Sequence, residues 1–187
     1  MTNITVFASH SGSNLQAIIN ASEKCEINAR VVAVISNNSN AYALERARKA
    51  NVPAYHISSI KKNSGQLTLD VLEKHGTDII FLAGYLKKID ERILELFKNK
   101  IFNIHPSLLP KYGGKGMFGL NVHEAVIKNN ETKTGATVHK VTSEYDQGEI
   151  LEQVSVPVDT NDPKVLQAKV LEIEHQLVVS FLKKFQG

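Results

Sequence analysis

Short, unbroken runs of apolar and β-branched residues recur along the first part of the chain. The longest, "RVVAVIS", shows no alternation of polar and apolar residues, which is typical of a strand buried on both faces of a parallel sheet. The predicted strands are residues 3–8, 30–36, 78–82 and 101–104. The predicted helices between them are residues 13–21, 41–50, 66–73 and 90–97. Strands that alternate with helices in this way indicate an open α/β sheet.

The C-terminal half carries a different pattern. The elements predicted there are a short helix at residues 121–128 and two antiparallel strands at residues 136–142 and 150–158. Asp162 and Pro163 provide an N-cap followed by proline at the first helical position, so we predict a long final helix that ends near Lys183. No linker or internal repeat divides the chain. We therefore predict one domain, residues 1–187, with ligands at the carboxyl ends of its parallel strands.

Composition restricts the class of partner. The net charge of +3 comes from scattered basic residues, a distribution that suits small anionic ligands better than nucleic acid. The chain has no run of about eighteen apolar residues that would span a membrane, and its first residues lead straight into a strand. Cys25 is the only cysteine, so an intrachain disulfide is impossible. We expect a cytoplasmic protein that binds small molecules and has no membrane or nucleic-acid partner.

The first strand ends in "ASHSGSNLQAI", a stretch of small polar residues around a single glycine. Such a turn between strand and helix presents backbone N–H groups and the positive end of the helix to an anion. Ser13 and Asn14 add side-chain donors. The stretch is neither a dinucleotide fingerprint nor a P-loop, because Gly12 stands alone and no Lys-Ser or Lys-Thr follows. It is consistent with a phosphate site and equally with a simple capped helix start.

Asn103 and His105 close the fourth predicted strand. Side chains alternate along a strand, so the two share one face, and Pro106 places both at its carboxyl edge. An isolated histidine is more often a packed or surface residue than a catalyst. The position of this pair at a strand end favours catalysis, as does the glycine-rich segment 113–116, which could close over a substrate.

Two more polar residues lie in the C-terminal half. Asp146, in "SEYDQGEI", is most simply a turn residue between two strands. His139, in "ATVHKVT", is most simply a half-buried strand residue. No cluster of His, Cys, Asp and Glu has the spacing of a metal site, so we predict no metal.

Five segments occur together in an order typical of one known family. They are "GSNLQAI", "AGYLKKI", "FNIHPSLLPKY", "GATVHKVTSEYDQG" and the "EHQ" of the last helix. Over nearly all of its length the chain resembles the phosphoribosylglycinamide formyltransferases, folate-dependent enzymes of purine synthesis. The resemblance implies the formyltransferase fold, an open, mostly parallel twisted sheet flanked by helices with antiparallel strands in the C-terminal half. It implies a monomer or homodimer.

The resemblance also implies roles for individual residues. Asn103, His105 and Asp146 match the catalytic trio of the family. The matches to its substrate sites are Gly12, Ser13 and Asn14 for the ribose phosphate, Glu174 for the glycinamide, and Leu86, Lys87, Ile89 and Val141 for the folate. The chain departs from the family at His10-Ser11, where a glycine-containing pair is expected, and at Lys87, where arginine is common. Its "KYGGKGMFG" loop replaces a shorter Pro-Gly form.

The implied reaction moves a formyl group from nitrogen 10 of the co-substrate 10-formyltetrahydrofolate to the primary amine of glycinamide ribonucleotide. Attack by the amine gives a tetrahedral carbon with an oxyanion, which the Asn103 amide and a His105 imidazolium would stabilise. Asp146 beside the imidazole would raise the pKa of His105 and, with water, relay the proton. Neither a metal nor a covalent enzyme intermediate is implied.

Four other functions are compatible with parts of this pattern. A formyltetrahydrofolate hydrolase usually has an added N-terminal domain, and methionyl-tRNA formyltransferase an added C-terminal one. Here the first strand begins at Asn3 and the long helix ends the sequence, which favours neither. A sugar formyltransferase should lack "GSNLQ". A non-catalytic nucleotide-binding module could use the same sheet, so an activity assay is needed to exclude it.

Overall fold

The computed structural model of the chain describes residues 1–185. The strands are β1 Thr2–Phe7, β2 Ala29–Ser36, β3 Ala54–His56, β4 Ile79–Leu82, β5 Ile101–His105, β6 Lys133–Lys140 and β7 Ile150–Pro157. The helices are α1 Ser13–Glu23, α2 Tyr42–Lys49, α3 Ser64–Lys74, α4 Glu91–Leu96, α5 Leu120–Lys128 and α6 Pro163–Lys184. None of these helices combines the length and apolarity needed to cross a membrane.

All seven strands form one sheet in the order β3-β2-β1-β4-β5-β6-β7. Strands β1 to β5 pair in parallel, whereas β6 and β7 are added antiparallel. The predicted fold class, a mostly parallel open sheet with antiparallel strands in the C-terminal half, is confirmed. The chain runs outward from β1 to β3 and then returns to β4 on the other side of β1. The loops that follow β1 and β4 therefore diverge, and such a switch point is where α/β sheets bind ligands.

Helices cover both faces of the central strands, which explains their unbroken apolar sequences. Val6 of β1 packs into an apolar cluster with helices α1, α2 and α6. Its neighbour Phe7 points to the other face and packs with residues of α3 and α4. Because successive side chains enter opposite layers, both faces of a central strand are mainly apolar.

The predicted elements differ from the observed ones mainly at the edges of the sheet. Strand β3 has only three residues, "AYH", at the edge beside β2, and it was not predicted. Strand β6 begins at Lys133 and ends at Lys140 instead of spanning residues 136–142. Val141 therefore lies just beyond the strand, where the loop toward Asp146 begins. The final helix starts at Pro163 after an Asp162 cap, as predicted.

Candidate active site

The loop after β1 leads into α1 without a side-chain cap. Gly12, the residue before the helix, has a left-handed φ of 69°, and no side chain accepts a hydrogen bond from the first turn. A Cβ at Gly12 would lie 2.7 Å from the Cβ of Ala43, so glycine is required both by conformation and by space. The first N–H groups of a helix have no intrahelical partner. The helix therefore starts at a glycine without a side-chain cap, and the phosphate site at this loop stays a prediction.

Asn14 and Glu174 form a buried pair behind this loop, although 160 positions separate them in the sequence. The Asn14 side-chain amide donates to the Glu174 carboxyl group over 2.6 Å, while within residues 1–185 the Asn14 Oδ1 atom has no partner. Burial raises the pKa of Glu174 to about 7, against the lowering effect of the Asn14 hydrogen bond. Ser13, the first residue of α1, lies beside the pair and is partly exposed.

The three residues predicted to be catalytic come together where β5 ends. Asn103 Nδ2 lies 3.5 Å from one carboxylate oxygen of Asp146, and His105 Nδ1 lies 3.5 Å from the other. Asp146 is in a left-handed turn, with a φ of 56°, and only 11% of its side chain is exposed. An amide, an imidazole and a carboxylate thus converge at the carboxyl edge of the sheet.

A fourth polar residue joins them that the sequence interpretation missed. His139 of β6 stands opposite Asn103 in the antiparallel register, and it is buried, with 2% exposed, instead of half-buried as predicted. Its Nδ1 lies 2.7 Å from the carbonyl oxygen of Lys140, and its Nε2 lies 3.0 Å from Asn103 Nδ2. A carbonyl oxygen only accepts, so Nδ1 carries a proton, while Nε2 faces both the Asn103 amide and, at 3.4 Å, Asp146 Oδ1. His139 therefore orients the amide of Asn103.

Burial decides the charge of His105. It lowers the pKa of His105 and outweighs Asp146 and the Tyr112 carbonyl, which both raise that pKa. Asp146 raises the pKa of His105, as expected, but the His105 ring is neutral at pH 7 in the protein without substrate. Burial also raises the pKa of Asp146, yet His139, His105 and the Gly114 N–H together hold that pKa below its usual value. A carboxylate thus stands beside a neutral imidazole.

The glycine-rich loop is bound to this centre through its backbone. The Tyr112 carbonyl oxygen lies 2.8 Å from His105 Nε2, and the Gly114 N–H donates to Asp146 Oδ2 over 2.8 Å. A Cβ at Gly113 would come within 2.5 Å of Leu109 Cδ2 and 3.2 Å of Asp146 Cβ. The absence of a side chain at Gly113 therefore allows the loop to lie directly against the carboxylate.

The residues predicted to bind folate surround the end of β4 and the loop after β6. Ile89 lines a cavity of about 710 Å³, whose wall also includes Ser143 and Glu144, two residues upstream of Asp146. Val141 packs against the same apolar cluster as Ile89, but it does not line the cavity. Leu86 and Lys87 do not line it either; the Leu86 N–H donates to Ser9 Oγ over 3.0 Å, and Lys87 is exposed.

The donor set at this candidate site is arranged for hydrogen bonds. Within the part of the chain that the structure describes, no group of three or more His, Cys, Asp and Glu side chains is placed to hold a metal ion. The contacts of His139 and His105 are made instead with an amide, a carboxylate and two backbone carbonyl groups.

Comparison with known proteins gives the same family throughout. Residues 2–182 match the family described as formyl transferase. The phosphoribosylglycinamide formyltransferase of Haemophilus influenzae is 38% identical, over 99% of this chain and 87% of that protein. The chloroplastic phosphoribosylglycinamide formyltransferase of Arabidopsis thaliana is 39% identical over 94% of this chain, which spans 62% of the plant protein's length.

A solved structure extends the similarity to the fold. Glycinamide ribonucleotide transformylase 1 from Geobacillus kaustophilus superposes with a TM-score of 0.91 at 34% identity, and the match covers 100% of both chains. Sequence and fold thus agree over nearly the whole chain. The chain therefore belongs to the formyl transferase family.

Proposed function

We propose that this protein transfers the formyl group of 10-formyltetrahydrofolate to the primary amine of glycinamide ribonucleotide, giving formylglycinamide ribonucleotide in purine biosynthesis. The observation that carries the proposal is the convergence of Asn103, His105 and Asp146 at the end of β5. The names of the bacterial and plant relatives support it. The single sheet supports the further proposal that residues 1–187 act as one domain.

Two polar groups, the Asn103 amide and the His105 Nδ1 atom, lie at long distances on either side of the Asp146 carboxylate. The Asn103 Nδ2 and His105 Nδ1 contacts to Asp146 both measure 3.5 Å, longer than a strong hydrogen bond to a carboxylate. A formyl oxygen bound there would accept a hydrogen bond from the Asn103 N–H that contacts Asp146 only weakly. As the amine attacks, negative charge develops on this oxygen, and a donor fixed in advance stabilises the transition state more than the substrate.

The neutral state of His105 gives it the role of proton carrier. Its Nε2–H is donated to the Tyr112 carbonyl, so the lone pair lies on Nδ1. When the amine nitrogen bonds to the formyl carbon, Nδ1 accepts the surplus proton of that nitrogen, directly or through water. The imidazolium is stabilised by Asp146 and donates to the oxyanion. The C–N bond to folate then breaks, the C=O bond reforms, and nitrogen 10 takes the proton from Nδ1.

The two substrates approach this centre from different sides. The N–H groups of Gly12, Ser13 and Asn14 would hold the ribose phosphate. Asn14 Oδ1, which has no partner within residues 1–185, and the Glu174 carboxyl group would hold the glycinamide. The pterin would enter the cavity lined by Ile89 and the 143–144 segment, whose volume is in the range of small-molecule sites. Backbone groups near Leu86, Lys87 and Val141 would complete the folate site.

Asn14→Ala should raise the KM for glycinamide ribonucleotide about 10- to 100-fold and leave the KM for the folate unchanged. The change removes a buried amide that faces the nucleotide and breaks its bond to Glu174, a loss of about 1–3 kcal/mol. Asn20→Ala, in the exposed last turns of the same helix, is the matched control. Steady-state kinetics with each substrate varied in turn measures both constants; equal increases for the two substrates would contradict the placement.

One assay separates the proposal from its alternatives. The protein is supplied with 10-formyltetrahydrofolate, with and without glycinamide ribonucleotide, and both formyl transfer and free formate are measured. We expect tetrahydrofolate to form only when the nucleotide is present, with one formylated nucleotide per turnover. Formate release without the nucleotide would indicate a hydrolase. Transfer only to methionyl-tRNA or to an amino sugar would indicate the other formyltransferases, and nucleotide binding without turnover a binding module.

A further inference from the structure

Helix α2 holds consecutive residues of the loop that joins β1 to α1. The Ala43 N–H donates to the carbonyl oxygen of His10 over 3.0 Å, and Arg46 Nε donates to the carbonyl oxygen of Ser11 over 2.8 Å. Gly12, the next residue, packs so closely on Ala43 that no side chain fits between them. Three successive loop residues are therefore fixed by one helix.

These contacts determine where the loop donors point. In a trans peptide unit the C=O and N–H bonds point in opposite directions. Because the carbonyl groups of His10 and Ser11 are directed at α2, the N–H groups of Ser11 and Gly12 are directed away from it. Arg46 thus orients a backbone donor without occupying the space into which that donor points.

The guanidinium group of Arg46 is itself held on several sides. Besides Ser11, it donates through Nη1 to the Gln16 side chain in α1 over 3.2 Å, and it lies 4.9 Å from the centre of the Tyr42 ring. On the same helix Glu45 pairs with Arg48 and Lys49 at 3.8 and 3.7 Å. No carboxylate within residues 1–185 forms an ion pair with Arg46, so its charge is not neutralised in the way those two charges are.

We propose that Arg46 is a positioning residue for the nucleotide phosphate: it fixes the Ser11 carbonyl so that the loop donors face the phosphate, and it places a stationary positive charge beside the first turn of α1. The inference rests on the proposed function, since it assumes that this loop binds the phosphate. It adds a residue from α2 to a site otherwise built from the β1–α1 loop and α6. The positive charge acts in the same direction as the dipole of α1.

The geometry of arginine matters as much as its charge. Nε and Nη1 of one planar group reach two acceptors on different segments, and a lysine ammonium cannot reproduce this fixed fork. Arg46→Met should raise the KM for glycinamide ribonucleotide and the Kd for ribose 5-phosphate by a similar factor, about 10- to 100-fold. Arg46→Lys should give a smaller increase in both. Neither change should alter kcat or the KM for the folate, because the catalytic centre lies at β5.

Arg48→Met is the matched control, because it removes the same charge from an exposed side chain of the same helix. Calorimetry with ribose 5-phosphate, steady-state kinetics and melting curves would be measured on the full-length wild type and all three variants. Arg46→Lys keeps the positive charge on α2. It therefore serves as the folded variant if the melting temperature of Arg46→Met is too low for the assays. We expect Arg48→Met to bind like the wild type.

Two results would overturn the inference, and they are distinguishable from failure of the proposed function. If Arg46→Met or Arg46→Lys binds ribose 5-phosphate as the wild type does, while Asn14→Ala weakens nucleotide binding, the nucleotide site stands and Arg46 has no part in it. If Arg46→Met and Arg48→Met weaken binding equally, only the net charge matters. If the wild type binds no ribose 5-phosphate and shows no nucleotide-dependent turnover, the proposed function fails and the inference fails with it.

Discussion

Replacing Asp146 by asparagine should lower kcat by roughly 10²- to 10⁴-fold, the usual range for one acid–base group. The carboxylate lies beside the rings of His105 and His139 and accepts a hydrogen bond from Gly114. Asparagine keeps nearly the same shape and one acceptor oxygen, so the loop contact can survive. In the proposed mechanism, the lost charge stabilises the imidazolium that forms when His105 takes the proton from the amine.

The trio should behave as one unit when two members are changed. If Asp146 acts through His105, the double change His105→Ala/Asp146→Asn should be little worse than the poorer single change. Asn103→Ala should lower kcat by a similar factor, because it removes the hydrogen-bond donor to the oxyanion. Single-turnover formyl transfer between pH 6 and 9 measures these rates without interference from product release.

Glu149→Gln is the control for these changes, because Glu149 lies in the same loop with an exposed side chain paired to Lys140 at 2.7 Å. It should retain nearly wild-type turnover. Melting curves should show midpoints within a few degrees of the wild type for every variant, since these residues lie at the rim of the sheet. The lowered pKa of Asp146 stabilises the folded state above the usual aspartate pKa, and Asp146→Asn loses that contribution at neutral pH. Near-normal turnover in Asp146→Asn would remove Asp146 from the mechanism.

The parallel part of the sheet could be predicted from the sequence because both of its faces are covered. Residues such as Val6 and Phe7 enter different apolar layers, so the central strands show continuous apolar runs. Strand β3 could not be predicted in this way. Its three residues lie at an edge, where one neighbouring strand is sufficient and the apolar requirement is weak.

The cluster of polar residues at the candidate site could be predicted where it follows one strand, but not where it depends on strand pairing. Asn103 and His105 share a face because they are two positions apart in β5. His139 meets Asn103 only through the antiparallel register of β5 and β6, which no local pattern contains. That register was the missing signal, because it places one polar residue directly opposite another.

The charge state of His105 could not be predicted because it depends on burial. From sequence, an acidic neighbour raises the pKa of a histidine; in the folded protein, desolvation of a ring that is 4% exposed has the larger effect. The contacts of Tyr112 and Gly114 with the centre depend on the path of a long loop between β5 and α5. The pairing of Asn14 with Glu174 joins segments 160 residues apart, and for Glu174 only the family resemblance had indicated a role.

Glu174→Gln should stabilise the protein at pH 8 while weakening its affinity for the nucleotide. Burial raises the pKa of Glu174 from 4.5 to about 7, so the folded state retains a proton that the unfolded chain has already released. The free energy of unfolding of the wild type therefore falls as the pH rises from about 4.5 to 7, by about 1.4 kcal/mol per pH unit, and is level above pH 7 with respect to this group. In total, the raised pKa of Glu174 lowers the free energy of unfolding at pH 7 and above by about 3 kcal/mol.

Glutamine resembles the protonated acid and can still accept from Asn14, so the variant should avoid this cost. The free energy of unfolding would be measured in urea at pH 5, 6, 7 and 8. The difference in favour of the variant should be small at pH 5 and should grow as the pH rises. Glu23→Gln, an exposed change in α1, should keep a constant difference from the wild type. A constant difference for Glu174→Gln as well would mean that Glu174 is ionised in the folded protein at every pH tested. If the variant is more stable and also binds the nucleotide more weakly, the buried acid is retained for substrate recognition at the expense of stability.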